Sequence, residues 1–399
     1  MVSYLKNRFS DWNRNFALLA SAAFSVGVFY GVQLTLFNNF IVERLGIEAH
    51  ELGAIESLRE VPGFLNALFI AVMIRLALPI VGGVSLIVMG LGIAAYAQVS
   101  SVYSLAIYSV IWSLGFHCWL PLEQTMALTF SPEGKKGKWL GELRSATSLG
   151  WLITIGICIF TFRFLDYEGL YVAAGAATVL GGLVLMFASR KRPEVPDRRF
   201  VLKRRYGVFY GLHVLSGWRR QMFTTFAIFA LVKVHGMSVQ TTMILVLINQ
   251  VMSTLTSPLM GRLVDRYGER LTLSYSYLGL AFVFAGYAIV QHRPTLYVIY
   301  CIDNLLFIGG IALTTYIHKI ADKGDLGPTL SMGVTMNHIA AVIGPVTGGL
   351  AWHYFGYEII FFSGSVMAVI SLIVSQWVKP EVMQEDELSI ADSGLQIAD

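Results

Sequence analysis

Charge is what this chain has least of. Only 14% of its 399 residues are Asp, Glu, Lys or Arg, whereas 55% are hydrophobic. A soluble domain carries about 25% charged residues, so a water-facing surface cannot be covered with this composition. Cysteine is scarce as well. Cys118, Cys158 and Cys301 are the three, an odd number inside apolar runs, which argues against a disulfide framework and fits small packing residues. Several short motifs are absent too. No G-x-x-x-x-G-K-[ST] loop, G-x-S-x-G elbow or H-E-x-x-H pair occurs, so ATP hydrolysis and common hydrolytic chemistry lose support. No enzyme activity and no cofactor are expected.

What fills the chain is apolar sequence, with a mean hydropathy of +0.63. A bilayer-crossing helix needs roughly 20 apolar residues. By that criterion the sequence predicts twelve spans, at about 15–38, 53–76, 80–99, 103–129, 140–163, 169–189, 207–232, 239–260, 271–290, 295–317, 329–351 and 357–378. With the N-terminus inside, 21 of the 29 Lys and Arg residues fall on the cytoplasmic side and 4 outside. The other four, Arg59, Arg144, Arg219 and Arg220, lie within spans. Positive residues stay inside. The expectation is therefore a multi-pass protein of the cytoplasmic (inner) membrane with both termini cytoplasmic. The net charge of +4 reflects that topology rather than nucleic-acid binding.

A shift of 190 positions lays the second half on the first. Leu45-Gly46-Ile47 meets His235-Gly236-Met237, and Tyr167-Glu168 meets Tyr357-Glu358. Six spans per copy give the copies the same orientation, related by an axis along the membrane normal. The expected organisation is a six-helix bundle over 1–190, a basic cytoplasmic linker over 191–206 and a second bundle over 207–380. An acidic, disordered cytoplasmic tail is expected over 381–399.

Between spans eight and nine the chain reads G-R-L-V-D-R-Y-G-E-R, residues 261–270. This order resembles the cytoplasmic loop signature of the major facilitator superfamily of secondary transporters. The resemblance implies an all-α fold of two six-helix bundles. It also implies a gating role for Gly261, Asp265, Arg266, Gly268 and Arg270, which help close the cytoplasmic side in the outward-facing state. Gly268 suits a left-handed turn, and Asp265 is expected to pair with an arginine or with helix N-terminal amides. The first-half copy departs from the pattern, because Arg75 stands where Asp265 has its counterpart. Gly344-Pro345-Val346-Thr347-Gly348-Gly349 in span eleven is similar to the G-P-x-x-G-G stretch of superfamily antiporters, though a glycine-rich packing face reads equally well.

Charged groups inside the bilayer cost at least ~2.5–3.5 kcal/mol each, so they line cavities or pair. Glu56, Arg59 and Glu60 share one face of span two. They read either as an internal brace or, through Glu60, as a proton-coupling site. Consecutive Arg219 and Arg220 point about 100° apart on a helix. One is expected to face the central cavity and the other to pair within its bundle, with Asp303 beside Asn304 the natural partner. Arginine suits anionic ligands. His117 and His338 lie near mid-membrane and titrate in the physiological range; two histidines with an acid also suit a transition metal, but no motif spacing supports that and no metal site is assigned. Tyr30, Gln33, His117, Arg219, Arg220, Asp303, Asn304 and His338 are the substrate-binding candidates. Glu60, Asp303 and His338 are the proton-coupling candidates. Glu123 and Arg144 form an expected inner brace, grouped with Arg75 and the 261–270 motif as gating residues. The combined expectation is a monomeric secondary transporter in the lipid bilayer, moving a small polar or anionic solute with a coupling ion, the proton. Proton-coupled export of amphipathic compounds is the alternative, ahead of metal-ion transport or a non-transporting receptor.

Overall fold

The computed structural model describes residues 12–65, 76–132, 134–189, 201–306, 309–322 and 324–378. Arg75, the 191–200 part of the linker and the 381–399 tail lie outside the described residues.

All secondary structure among the described residues is helical. In the first half, α1 is Arg14–Leu45, α2 Ala49–Phe64, α3 Leu78–Ala94 and α4 Val102–Phe130. The next helix, Lys136–Leu185, folds back at Asp166, which separates α5 (136–165) from α6 (167–185). In the second half, α7 comprises Gly207–Gln221, a π-helical stretch Met222–Ala227, and Ile228–Lys233. Val239–Ile289 folds back at Gly268 into α8 (239–267) and α9 (269–289). Then come α10 (Arg293–Leu305 and Gly309–Ile320), α11 (Leu326–Phe355) and α12 (Glu358–Ser375). Nine helical stretches among the described residues are long and apolar enough to cross a membrane, with Lys136–Leu185 counted as one.

The ends of these helices follow local chemistry. Asn13 caps α1 by accepting a hydrogen bond from the Phe16 N–H, and Ser101 and Ser238 cap α4 and α8 in the same way. Reversals need positive φ, and they recur at the repeat spacing: Gly46 with Gly236, Gly134 with Gly324, and Asp166 with Gly356. The hydrogen bonds recur as well. Gly46 and Ile47 N–H donate to Val42 and Ile41 carbonyls, and Gly236 and Met237 N–H donate to Val232 and Leu231 carbonyls. These are Schellman closures of α1 and α7 in identical register.

Each half has its own apolar core. One is built mainly on Phe16, Phe29, Phe40, Trp119, Trp139 and Tyr171. The other is built on Phe209, Phe226, Tyr277, Phe284, Tyr287 and Phe361. With helices alternating in direction, the start of α1 and the end of α12 lie at one face, here the terminal face. At the opposite face the halves are joined. Asn39 Nδ2 donates to the Met237 carbonyl at 3.0 Å, and Thr242 Oγ1 donates to Asn39 Oδ1 at 2.7 Å. Lys233 Nζ reaches Glu48 at 2.8 Å, and the Val346 N–H donates to Ser57 Oγ at 2.9 Å. Helices α2 and α11 touch backbone to backbone here, since a Cβ on Gly53 would lie 2.2 Å from the Pro345 carbonyl and one on Gly349 2.4 Å from that of Ala49. In this structure the G-P-x-x-G-G stretch therefore serves as a packing face. The protein is closed at the opposite face.

One expectation needs correction. The 261–270 segment is not a loop: α8 continues to Tyr267, and the reversal is confined to Gly268 (φ 75°). Residues Arg204–Tyr206, at the end of the linker, form a 3-10 turn, tied down by Lys203 and Arg205 on Asp322 and Asp325.

Candidate functional site: a polar cavity between the halves

A cavity of about 260 Å³ lies where the halves meet, lined from α1, α2, α5, α7, α8 and α10. Helix α1 contributes Gln33, Phe37 and Asn38, and α2 contributes Glu56 and Arg59. Trp151 of α5 and Phe223 with Tyr300 supply aromatic walls, the latter two stacked at 5.3 Å. The π-helical stretch of α7 presents Phe223, Thr224 and Thr225 here, a common place for such a distortion. Asn249, Gln250, Ser253 and Asn304 complete the polar lining.

The hydrogen-bonding balance of this lining is uneven. Asn304 Nδ2 donates to Ser253 Oγ at 2.7 Å and to the Asn249 carbonyl at 3.3 Å. Gln33 Oε1 and Asn38 Oδ1 have no protein partner among the described residues, and the Asn249 side chain faces the Tyr300 hydroxyl. Buried amides are normally satisfied, so these atoms are poised for a ligand with donors and acceptors of its own. The charged pair is already matched: Arg59 Nη1 bonds Glu56 Oε1 at 2.6 Å, Nη2 contacts the other carboxylate oxygen, and the guanidinium lies 5.2 Å over Trp112.

Glu60, one turn along α2, looks away from that pair. Its Oε2 lies 3.3 Å from His338 Nδ1 on α11 and 3.8 Å from His117 Nε2 on α4, with Arg59 Nη2 3.9 Å from Oε1. The His117 ring is fixed from behind, its Nδ1 3.0 Å from both the Ser113 carbonyl and Ser113 Oγ. The sequence-predicted Glu60, His117 and His338 thus converge, two from the first half and one from the second.

The two arginines diverge. Arg219 is buried and interacts through charge with Asp303, which is fully buried without a hydrogen bond on either oxygen. Arg220 instead feels the charge of Glu60. Of the eight substrate candidates, Gln33 and Asn304 line the cavity. Tyr30 stacks on Trp151 at 5.3 Å, one layer behind, and His117, His338, Arg219, Arg220 and Asp303 form the charged layer outside the lining. Polar residues interrupting apolar spans, such as Asn38, Asn249 and Ser253, were the signal for the lining residues that the candidate set lacked.

The gating candidates scatter. Glu123 senses the charge of Arg144, but the two form no close ion pair among the described residues. Asp265 is exposed, and no pairing of its side chain occurs among the described residues. Gly261 sits within α8, and Arg266 lies 5.3 Å over Tyr267. The contacts beyond the turn stay inside the second half: Glu269 with Lys319 at 3.1 Å, and Arg270 Nη2 with Gln376 at 3.2 Å.

Two helical bundles around a polar cavity, closed at one face, make this a polytopic membrane protein of the two-domain, twelve-helix type. The fold over nearly the whole length, and the sequence of the second half, are similar to those of the major facilitator superfamily. The Major Facilitator Superfamily family model matches residues 209–391. A mutant form of the nucleoside transporter NupG superposes with a TM-score of 0.79 at 16% identity, covering 92% of this chain and 100% of that one. Unmutated NupG gives 0.74 at 14% identity over 92% and 100%. A bacterial homologue of the human lysosomal transporter Spinster, inward-facing and occupied, gives 0.69 at 14% identity over 91% and 96%. No curated protein matches the chain in sequence.

Proposed function

We propose that this protein is a proton-coupled secondary transporter that moves a small, uncharged polar solute by alternating access. The observation that carries the reading is the cavity between the halves, where the amide oxygens of Gln33 and Asn38 are unmatched among the described residues and the walls are aromatic. Amide edges and ring faces suit a planar solute with hydrogen-bonding edges, and the nucleoside class is the first to try; the name of the NupG relative supports that choice. An anionic solute is disfavoured, because Arg59 is held by Glu56 and Arg219 is directed to Asp303. A wide amphipathic exporter cavity is disfavoured by the small volume and the density of amides.

Glu60 is the proton carrier in this reading. It faces two imidazoles and, through Arg59, abuts Glu56 in the cavity lining. Protonation of Glu60 releases its hold on His338 across the halves, which links proton occupancy to their relative position. Asp303 and Arg219 keep the second half neutral at mid-depth. The chain ends are placed at the cytoplasmic side of an inner membrane, and the monomer is the transporting unit.

The test is uptake of radiolabelled nucleosides into proteoliposomes under an imposed pH gradient. Accumulation down the proton gradient, abolished by protonophore and lowered about 2- to 150-fold in Gln33→Ala and Asn304→Ala, is expected, since each substitution removes about one or two hydrogen bonds. Flux that ignores the gradient would remove the coupling. Flux of amphipathic cations but of no nucleoside would replace the substrate class.

A further inference from the structure

We infer that Glu60, His117 and His338 form a binding site for a divalent transition-metal ion of the zinc type, bridging the two halves. One ligand atom from each residue lies within 4.8 Å of the others. Zinc binds nitrogen and carboxylate oxygen at about 2.0–2.2 Å, so the edges of its tetrahedron are about 3.3–3.5 Å. The 3.3 Å from His338 Nδ1 to Glu60 Oε2 and the 3.8 Å from His117 Nε2 to the same oxygen bracket that edge. Small side-chain movements close the set.

Three further observations point to a cation between these groups. The His117 Nδ1 is engaged by the Ser113 carbonyl. A backbone carbonyl accepts only, so this contact sets the proton on Nδ1 and leaves the Nε2 lone pair facing Glu60, the ring orientation that outer partners impose on metal-bound histidines. Two lone-pair-bearing atoms facing each other at 3.8 Å repel unless something positive lies between them. Gly63 supplies the space, for a Cβ there would lie 2.5 Å from His117 Nε2 and 2.9 Å from His338 Cε1. The His338 side chain is 19% exposed, which leaves an approach and an open fourth position. The nearby Arg59 charge is offset by Glu56, and among the described residues Arg220 also feels the Glu60 charge.

An ion held here ties α2 and α4 of the first half to α11 of the second. It therefore favours the state closed at the opposite face. Binding is read without transport, so the metal site and the transport reading fail independently.

The experiment is titration of the full-length purified protein with Zn²⁺ by calorimetry, with Co²⁺ absorption as a report on coordination. One Zn²⁺ per chain is expected, with the visible bands of four-coordinate Co²⁺ and a rise in Tm. Glu60→Gln, His117→Ala and His338→Ala are each expected to weaken binding at least ~100-fold, more than an outer-shell loss does. Gly63→Ala should weaken it with every ligand intact. His50 and His353, whose rings lie 4.5 Å apart across the halves at the opposite face, are the internal comparison, and His50→Ala should bind as wild type does. Metal-free Tm values establish that each variant is folded. No zinc bound by folded wild-type protein overturns the site. So does binding that survives His338→Ala or is lost in His50→Ala.

Discussion

Asn39→Ala tests whether the opposite face is held shut by specific hydrogen bonds. Asn39 is fully buried and makes two bonds across the halves, donating to the Met237 carbonyl at 3.0 Å and accepting from Thr242 Oγ1 at 2.7 Å. Its third, to Glu43, stays within α1 and is made whichever way the halves rock. A hydrogen bond contributes about 0.5–1.5 kcal/mol net, so the two crossing bonds favour closure by about 1–3 kcal/mol. Their loss shifts the ratio of open to closed at this face by about 5–150-fold. Spin labels at Ser100→Cys and His292→Cys, in loops of the two halves at this face, report that ratio by pulsed dipolar spectroscopy once the three native cysteines are replaced by alanine. A longer-distance population should grow in Asn39→Ala. Unchanged distances in a variant whose Tm also matches the parent would refute the reasoning. A fall in Tm alone would show that Asn39 stabilises the fold rather than the closed state.

Other outcomes follow from the same structure. Gly53→Ala places a methyl 2.2 Å from the Pro345 carbonyl; overpacking of this kind costs about 1–3 kcal/mol, and the same spin-label pair should separate while the terminal face is untouched. Gly356→Ala puts a side chain at φ 88°, ψ 164°, a region tolerated almost only by glycine, and should destabilise by about 1–3 kcal/mol, read as a lower Tm in detergent. Lys203 holds the Asp322 and Asp325 carboxyls below their ordinary range through hydrogen bonds. Their contribution is therefore full above about pH 4 and fades as pH falls through the lowered values. Amide protection over 201–206, taken relative to the intrinsic exchange rate at each pH, should fall in acid, and Asp325→Asn should reproduce the fall at neutral pH; protection indifferent to both would sever that anchor from the linker's order.

Much of the fold could be read from the sequence because it rests on local signals. Apolar run length gave the spans, and the 190-residue shift laid Gly46 on Gly236, where the structure has matching reversals. Single-residue turns were less legible. Asp166 carries no turn signature, yet it occupies a positive-φ position (φ 52°) because its Oδ1 accepts from the Tyr167 N–H and its carboxylate pairs with Arg44. The 261–270 segment reads as a loop because charge suggests solvent, but a helix can extend into water with exposed Arg262, Asp265 and Arg266. The divergence of Arg219 and Arg220 followed from the 100° step of a helix. The meeting of Glu60, His117 and His338 did not, since it depends on how three helices from two halves cross, and no residue spacing encodes a crossing. The cavity lining fell between these cases: each amide stood out within its span, but which of them share a wall is a property of packing.

The matching Schellman closures and the two separate cores carry a consequence for how the molecule can be assembled. Each half closes its own helices and buries most of its own aromatic residues, with Phe229 of the second half packing into the first core and Ile155 of the first half into the second, while the polar contacts between them are contributed by surfaces that exist once each half is formed. Covalent continuity between Ser189 and Val201 is then a matter of delivery rather than architecture. Two genes, one ending at Ser189 and the other beginning at Val201, should yield fragments that find each other in the bilayer and copurify. Asn39→Ala in the first fragment should weaken that reunion.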